Sequence, residues 1–224
     1  MQPIHTRTID FLSNLKANNS REWFNSNRNE YEFARQNFAN FTNTLIASIK
    51  SFDQSIGTLE AKDCTFRIYR DVRFSPNKAP YKTNMGAYIS RGGKKSLFAG
   101  YYFHLEPKES FISGGIYMPE PSVLRVIRSD IETYHERFID IVEAKSFKST
   151  FQSLGFESLK KVPKGFSADS PVAEYLKLKH FTPMHKLSNQ TVLSDSLLDY
   201  TVEVYKKMLP LIEFLNEAIE HGHS

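Results

Sequence analysis

The stretch CTFRIYRDVRFSPNKAPYKTNMGAYIS, residues 64–90, decides the fold because the hydrophobic periodicity of the chain changes there. Before it, apolar residues recur every three or four positions, which is typical of helices. Within it, Cys64, Phe66 and Ile68 alternate with more polar neighbours, and this period of two predicts a half-buried strand over residues 64–73. The following sequence SPNK, residues 75–78, is a turn signal with proline at its first central position.

Outward from this stretch, the pattern predicts a sheet flanked by helices. Further strands are predicted over residues 86–90, 97–106 and 110–117, separated by turns rich in glycine or proline. Amphipathic helices are predicted before the strands, the longest over residues 31–52, and again after residue 119, with a last helix that Pro210 should kink or divide. The expected fold class is α+β: an antiparallel meander of about four strands in the middle third, packed by N-terminal and C-terminal helices.

Positive charge is concentrated in one segment of the 224-residue chain. Residues 67–95 contain eight basic residues and a single acid, Asp71, so the segment carries a net charge of +7, whereas the whole chain carries only +4. Such a local excess of one sign is informative about binding partners rather than about the fold.

The basic segment predicts a binding site for a phosphate or carboxylate group. Guanidinium groups bind such anions through two parallel hydrogen bonds, and lysine adds a compact charge. The expected ligand-binding residues are Arg67, Arg70, Arg73, Lys78, Lys82 and Arg91. Alternation on the predicted strand places Arg70 on the apolar face, where it must either pair with a carboxylate or lie beyond the buried part of the strand. The alternative is a network of ion pairs in which Asp71 and other acids neutralise the arginines.

Three residues are candidates for proton transfer: Tyr69, Asp71 and His104. On the predicted strand over residues 97–106, His104 shares a face with Tyr102 and Glu106, because side chains two apart point the same way. A histidine beside a carboxylate can act as a general base, although such a residue is also commonly structural.

Other classes of protein and site are excluded on the sequence. The lone cysteine, Cys64, excludes an internal disulfide framework, and its position predicts a core residue. No nucleotide-binding or nucleophile-elbow motif is present, His180 and His185 lack standard metal-ligand spacing, and we expect neither cofactor nor metal. No apolar run is long enough to cross a bilayer and the N-terminus lacks a secretory pattern, so we expect a cytoplasmic protein without a membrane partner.

Four segments resemble the DUF2461 family of conserved hypothetical proteins. They are FLSNLKANNSREWFNSNRNEYEFAR (11–35), RIYRDVRFSPNKAPYKTNMGAYIS (67–90), AGYYFHLEPKESFISGGIYMPE (99–120) and VPKGFSADSPVAEYLKLKHF (162–181). They occur in the family's order and span almost the whole chain. The resemblance implies a single domain over residues 1–224 in a bacterial-type cytosolic setting. It implies no established activity and supplies no catalytic residues.

Three functions are compatible with these observations. The first is an enzyme or binding protein for a small phosphorylated or carboxylated metabolite. The second is a module for single-stranded nucleic acid, because aromatic residues interleave with the basic ones and bases stack on such rings. The third is an interaction domain whose basic segment is only solvated. The shaped loop suggested by prolines and glycines favours the first, and the sequence does not indicate an oligomeric state.

Overall fold

The computed structural model describes residues 3–222. The helices within this range are α1 (Thr6–Ala17), α2 (Arg21–Ser26), α3 (Arg28–Lys50), α4 (Ala61–Cys64), α5 (Pro121–Thr133), α6 (His135–Glu143), α7 (Lys145–Thr150), α8 (Ala173–Leu176), α9 (Asn189–Val192) and α10 (Leu197–His221), with a short 3-10 turn at Gln54–Ile56. The strands are β1 (Met85–Ile89), β2 (Gly100–Leu105), β3 (Phe111–Gly115) and β4 (Met184–Lys186).

The four strands form one antiparallel sheet in the order β1-β2-β3-β4, so the α+β class with a meander is confirmed. The membership of the sheet differs from the prediction, because its fourth strand is β4 and not the segment over residues 64–73. A three-residue strand carries too short a pattern to be recognised in the sequence.

The strand predicted over residues 64–73 is wrong. Cys64 ends helix α4, whose first turn is closed by reciprocal hydrogen bonds between Glu60 and Asp63. Beyond it, only isolated bridges join Thr65 to Ala87 and Tyr69 to Tyr81. Prolines at 76 and 80 remove backbone donors on the returning side of this hairpin-like loop, which prevents a continuous ladder.

The described chain divides into two compact units. Unit 1 comprises residues 3–94, 102–112 and 186–202, and unit 2 comprises residues 95–101, 113–185 and 203–222. The single domain expected over residues 1–224 stays a prediction. No helix within residues 3–222 has both the length and the apolar character needed to cross a bilayer.

Unit 1 has a core of aromatic side chains between its helices and β2. Helix α2 begins where the Ser20 hydroxyl accepts a hydrogen bond from the Trp23 amide. Helix α3 has an almost continuous buried face, and its Phe38 and Phe41 rings lie 6.4 and 4.8 Å from the ring of Phe103 on β2. Phe103 is fully buried, so alternation directs Tyr102 and His104 to the opposite face of β2.

Unit 2 is built around Phe138 of α6. The fully buried Phe138 ring lies 5.2 Å from Tyr175, 6.4 Å from Phe181 and 5.4 Å from Phe214. Helix α10 runs unbroken through Pro210, so of the two expected effects of this proline, a kink or a division, the division does not occur. Four of the five residues from Leu211 to Leu215 are buried. The free energy gained by this burial offsets the loss of the backbone hydrogen bond that proline cannot donate.

Candidate functional site

The first part of the basic segment lies in a loop, residues 65–82, that returns to the start of β1 within unit 1. The Phe66 amide donates to the Gly86 carbonyl at 3.0 Å, and the Lys82 amide donates to Ile68 at 2.8 Å. Asn19 holds the returning side, because its amide group both donates to the Tyr81 carbonyl and accepts from the Tyr81 amide, at 3.0 and 3.1 Å. The loop is therefore braced along much of its length.

Arg70 has a structural role inside this loop. Its guanidinium donates to the Ala79 carbonyl at 3.0 Å and to the Ser75 hydroxyl at 3.3 Å. It is half-buried and closes the turn between the two sides of the loop. The partners of Arg70 are thus supplied by the loop itself and not by a carboxylate.

Arg73 forms an ion pair with Asp71. Its Nε and Nη2 donate to both oxygens of the carboxylate, with a shortest distance of 2.6 Å, and both side chains are well exposed. The hydrogen bond from the Arg73 side chain lowers the pKa of Asp71, which keeps the carboxylate ionised. In this part of the segment the ion-pair alternative describes the geometry.

Three further candidates lie around the loop. Lys78 donates its ammonium to the Val72 carbonyl at 3.1 Å. The Tyr69 hydroxyl accepts from Arg28 at 3.4 Å, and its ring is 42% exposed. Arg91 lies in the turn that follows β1 and is half-buried.

Lys82 and Arg67 are the two cations of the loop whose side chains donate to no acceptor among residues 3–222. The half-buried Lys82 ammonium lies 5.5 Å from the ring centre of Phe66. Burial lowers the pKa of Lys82, and the positive charge of the exposed Arg67 lowers it further. The two like charges therefore repel each other, which is unfavourable unless an anion joins them.

Substitutions distinguish the structural role of Arg70 from the role of the exposed ion pair between Arg73 and Asp71. We expect Arg70→Gln to lower the free energy of unfolding by about 1–2 kcal/mol, because two hydrogen bonds from a charged group are lost. Arg73→Gln should leave the melting temperature unchanged, since exposed ion pairs contribute little. Urea denaturation of both variants measures the difference, and an unaffected Arg70→Gln protein would show that the loop does not depend on this clamp.

A row of three polar side chains follows one face of β2 in unit 1. The Tyr102 hydroxyl lies 2.9 Å from His104 Nδ1, and His104 Nε2 lies 3.1 Å from Glu106 Oε2. We call these residues the Tyr-His-Glu row. Two donors hold the other carboxylate oxygen: the Thr83 hydroxyl at 3.0 Å and the Lys16 ammonium at 3.5 Å.

The protonation states of the row follow from its surroundings. Burial lowers the pKa of His104 and outweighs the opposing effect of Glu106, so the imidazole is neutral at pH 7. Burial opposes ionisation of Glu106, but hydrogen bonds from His104 and Thr83, together with the charge of Lys16, hold its pKa below the ordinary value. Burial and the charge of Glu106 raise the pKa of Tyr102 to about 12.

Gly86 of β1 provides the space for the Tyr102 hydroxyl. A Cβ atom at this position would lie 2.6 Å from Tyr102 Oη, closer than van der Waals contact permits. The glycine therefore allows the phenol to lie across β1 and reach His104.

We expect Gly86→Ala to destabilise the protein by about 1–3 kcal/mol, the usual range for overpacking. The cost should be smaller in a Tyr102→Phe background, because the nearest atom is then absent. A double-mutant cycle from denaturation curves measures the coupling. Equal costs in both backgrounds would contradict the contact between Gly86 and the hydroxyl.

The groups that could take part in metal or thiol chemistry were sought within residues 3–222. No group of three or more histidine, cysteine, aspartate or glutamate side chains in that range could hold a metal ion. Cys64 is fully buried, and burial raises the pKa of its thiol to about 11, which suits the predicted core role.

A cavity of about 310 Å³ lies within unit 2, between α6, α7 and α10. Two of its charged lining groups already have partners, since Lys207 donates to Thr150 and Arg137 pairs with Glu217. The Tyr-His-Glu row and the Lys82–Arg67 pair belong to unit 1 and are not part of this cavity.

The sequence pattern identified the row's face but missed the residues that support it. Lys16, Thr83 and Gly86 come from other elements, as does Phe111, which stacks on His104 with ring centres 4.4 Å apart. A local pattern contains no signal for such distant partners, apart from the general association of a strand glycine with close approach.

Comparison with family models gives a match over residues 7–214 to DUF2461, described as a conserved hypothetical protein. Comparisons with curated proteins and with solved structures found no match. The matched range includes the braced loop, the Lys82–Arg67 pair and the entire Tyr-His-Glu row. With nearly the whole chain covered, the protein belongs to the DUF2461 family.

Proposed function

We propose that the protein binds a small metabolite carrying a phosphate or carboxylate group at Lys82 and Arg67. The observation that carries the proposal is that neither cation donates to an acceptor within residues 3–222, although the two lie on facing sides of the loop, where the Lys82 amide donates to Ile68, next to Arg67. Glu106, which contacts the neighbouring Thr83, is already held by His104, Thr83 and Lys16. An anionic ligand would remove the repulsion between the two cations and supply the missing counter-charge.

The braced loop supports this function because it holds the backbone that carries the ligand-binding groups in place. Arg70 closes the turn, Asn19 holds Tyr81, and the Tyr81 ring stacks on Phe24 with ring centres 4.0 Å apart. A preformed loop loses little conformational entropy on binding, which favours a small ligand with few contacts.

Calorimetric titration with inorganic phosphate tests the proposal, followed by a thermal-shift panel of sugar phosphates, nucleoside monophosphates and small carboxylates. We expect Lys82→Gln and Arg67→Gln each to weaken phosphate binding about tenfold or more, because a charged hydrogen bond is lost. Neither variant should lower the melting temperature, since each removes a repulsion.

Lys62→Gln is the matched control. Lys62 is an exposed lysine of the same unit whose ammonium already pairs with Glu60 at 2.8 Å. Its loss should leave phosphate affinity unchanged. Equal weakening in all three variants would point to general charge attraction, and absence of binding by the wild-type protein to the whole panel would refute the proposal.

A second candidate function, binding of single-stranded nucleic acid, is favoured by exposed rings. Phe74 is 95% exposed at the tip of the loop, and Phe66 and Tyr69 are each 42% exposed. Bases stack on such rings while cations contact phosphates. A short oligothymidylate should then bind with a slope of log K against log salt of about −0.7 for each neutralised phosphate, and absence of binding at low salt would exclude this candidate.

A further inference from the structure

The Tyr-His-Glu row has the order of groups found in activated nucleophiles. A hydroxyl contacts an imidazole nitrogen, and the other nitrogen contacts a carboxylate, at 2.9 and 3.1 Å. A nucleophile within hydrogen-bond reach of a base, with the base oriented by a third group, is the arrangement that permits covalent catalysis.

The contacts determine which group is the donor in each hydrogen bond of the Tyr-His-Glu row. Glu106 is ionised and can only accept, so the His104 proton resides on Nε2 and is donated to Oε2. His104 Nδ1 is then the acceptor and receives the proton of the Tyr102 hydroxyl. Phe111 stacks on the imidazole with an interplanar angle of 14°, which holds the ring in this orientation.

The row lies beside the proposed anion site. The Tyr102 hydroxyl lies over Gly86, whose carbonyl accepts from the Phe66 amide. The Phe66 ring centre is 6.4 Å from that of Tyr102 and 5.5 Å from the Lys82 ammonium. Tyr102 remains partly exposed, so a ligand held by Lys82 and Arg67 would approach the phenol.

We propose that Tyr102 is the nucleophile of a phosphoryl-transfer reaction, with His104 as its general base and Glu106 as the residue that positions His104. This inference rests on the proposed binding of a phosphate-bearing ligand at Lys82 and Arg67. The substrate class is a phosphate ester of a small alcohol or phenol.

In the first step, the Tyr102 oxygen forms a bond to phosphorus and the bond between phosphorus and the ester oxygen breaks. The Tyr102 proton passes to His104 Nδ1, and His104 returns it to the departing oxygen, which leaves as the alcohol. In the second step, water attacks the phosphotyrosine, giving its proton to His104, and phosphate leaves while Tyr102 regains a proton. Lys82 and Arg67 neutralise the phosphoryl oxygens throughout.

The protonation states suit this sequence of steps. At neutral pH the lowered pKa of His104 leaves Nδ1 free to accept a proton. The raised pKa of Tyr102 keeps its proton in place until His104 removes it. The rate should therefore rise with pH through the lowered pKa of His104, on the acid side of the ordinary histidine value of about 6.5.

The test uses the full chain with p-nitrophenyl phosphate and bis(p-nitrophenyl) phosphate. We expect release of p-nitrophenolate and, after acid quenching, a phosphorylated peptide whose modification maps to Tyr102. Tyr102→Phe should abolish both signals, whereas Tyr134→Phe, which alters an exposed tyrosine of unit 2, should change neither. His104→Gln should slow the reaction at least a hundredfold, as expected for loss of a general base.

The pH profile distinguishes a positioning role for Glu106 from a structural one. The hydrogen bond and charge of Glu106 both raise the pKa of His104 against the effect of burial. Glu106→Gln keeps the shape but removes the charge, so the acid limb of the rate profile should shift to lower pH. An unshifted limb would overturn the role assigned to Glu106.

The failures of the two proposals are distinguishable. If the wild-type protein binds inorganic phosphate but neither ester yields p-nitrophenolate or a modified peptide, the nucleophile proposal is overturned and the anion site stands. A phosphorylated peptide that persists in Tyr102→Phe also overturns it. If phosphate does not bind, the proposed function fails and this inference fails with it.

Discussion

Replacing Phe24 by alanine is expected to lower the free energy of unfolding by about 3–5 kcal/mol, the usual cost of deleting a buried phenylalanine. Phe24 is fully buried, and its ring lies parallel to Tyr81 at 4.0 Å and within 4.9 Å of Tyr31. The melting temperature should fall by roughly 10 °C for a chain of this length. Urea denaturation followed by circular dichroism measures the change.

The same variant should also weaken phosphate binding, because Tyr81 precedes Lys82 and depends on Phe24 for its position. Phe103→Ala is the matched control: it deletes an equally buried ring of unit 1, but one that packs against Phe41 of α3. We expect a similar loss of stability and unchanged phosphate affinity in the fraction that remains folded. Equal loss of affinity in both variants would contradict a specific role for Phe24 in holding the loop.

An equally large effect is expected for Phe138→Ala in unit 2. Its fully buried ring contacts Tyr175 and Phe214, so the substitution leaves a cavity and should lower the free energy of unfolding by about 3–5 kcal/mol. Differential scanning calorimetry measures the loss. Phe156→Ala is the control, because Phe156 is 61% exposed and its removal should change the melting temperature far less.

Together the two variants test whether residues 1–224 form a single domain. If they do, Phe24→Ala and Phe138→Ala each shift one common unfolding transition, because a single domain of moderate size unfolds cooperatively. Two separate transitions, each moved by only one of the variants, would contradict the single-domain prediction.

Charge and periodicity are enough to indicate where the candidate site lies along the chain. The concentration of basic residues over residues 67–95 contains the Lys82–Arg67 pair. Alternation along residues 97–106 predicts that Tyr102, His104 and Glu106 share one face, and their side chains form a hydrogen-bonded row. Both are local properties. The net charge depends on the residues within the segment, and the face of the sheet to which a side chain points depends on whether its position along the strand is odd or even.

The partners of the basic residues could not be predicted from the sequence. Alternation sets Arg70 apart from Arg73, but it does not indicate that Arg70 closes a loop through Ala79 or that Arg73 is the arginine that pairs with Asp71. The difference depends on how the loop turns at its prolines. The predicted strand over residues 64–73 was wrong for a related reason, because alternation indicates a pattern that suits a strand but not whether a partner ladder exists.

The amino-acid sequence by itself determined the α+β class, the family, the buried faces of α3 and α10, and the location of the excess positive charge. Only the tertiary structure decided that β4 completes the sheet, that Lys16 and Thr83 hold Glu106, and that Gly86 admits the Tyr102 hydroxyl. The physical reason is range. Helical and strand periods and net charge are set by neighbours in the chain, whereas the donors to Glu106, the close approach at Gly86 and the partner strand β4 come from residues distant in the sequence that folding brings together.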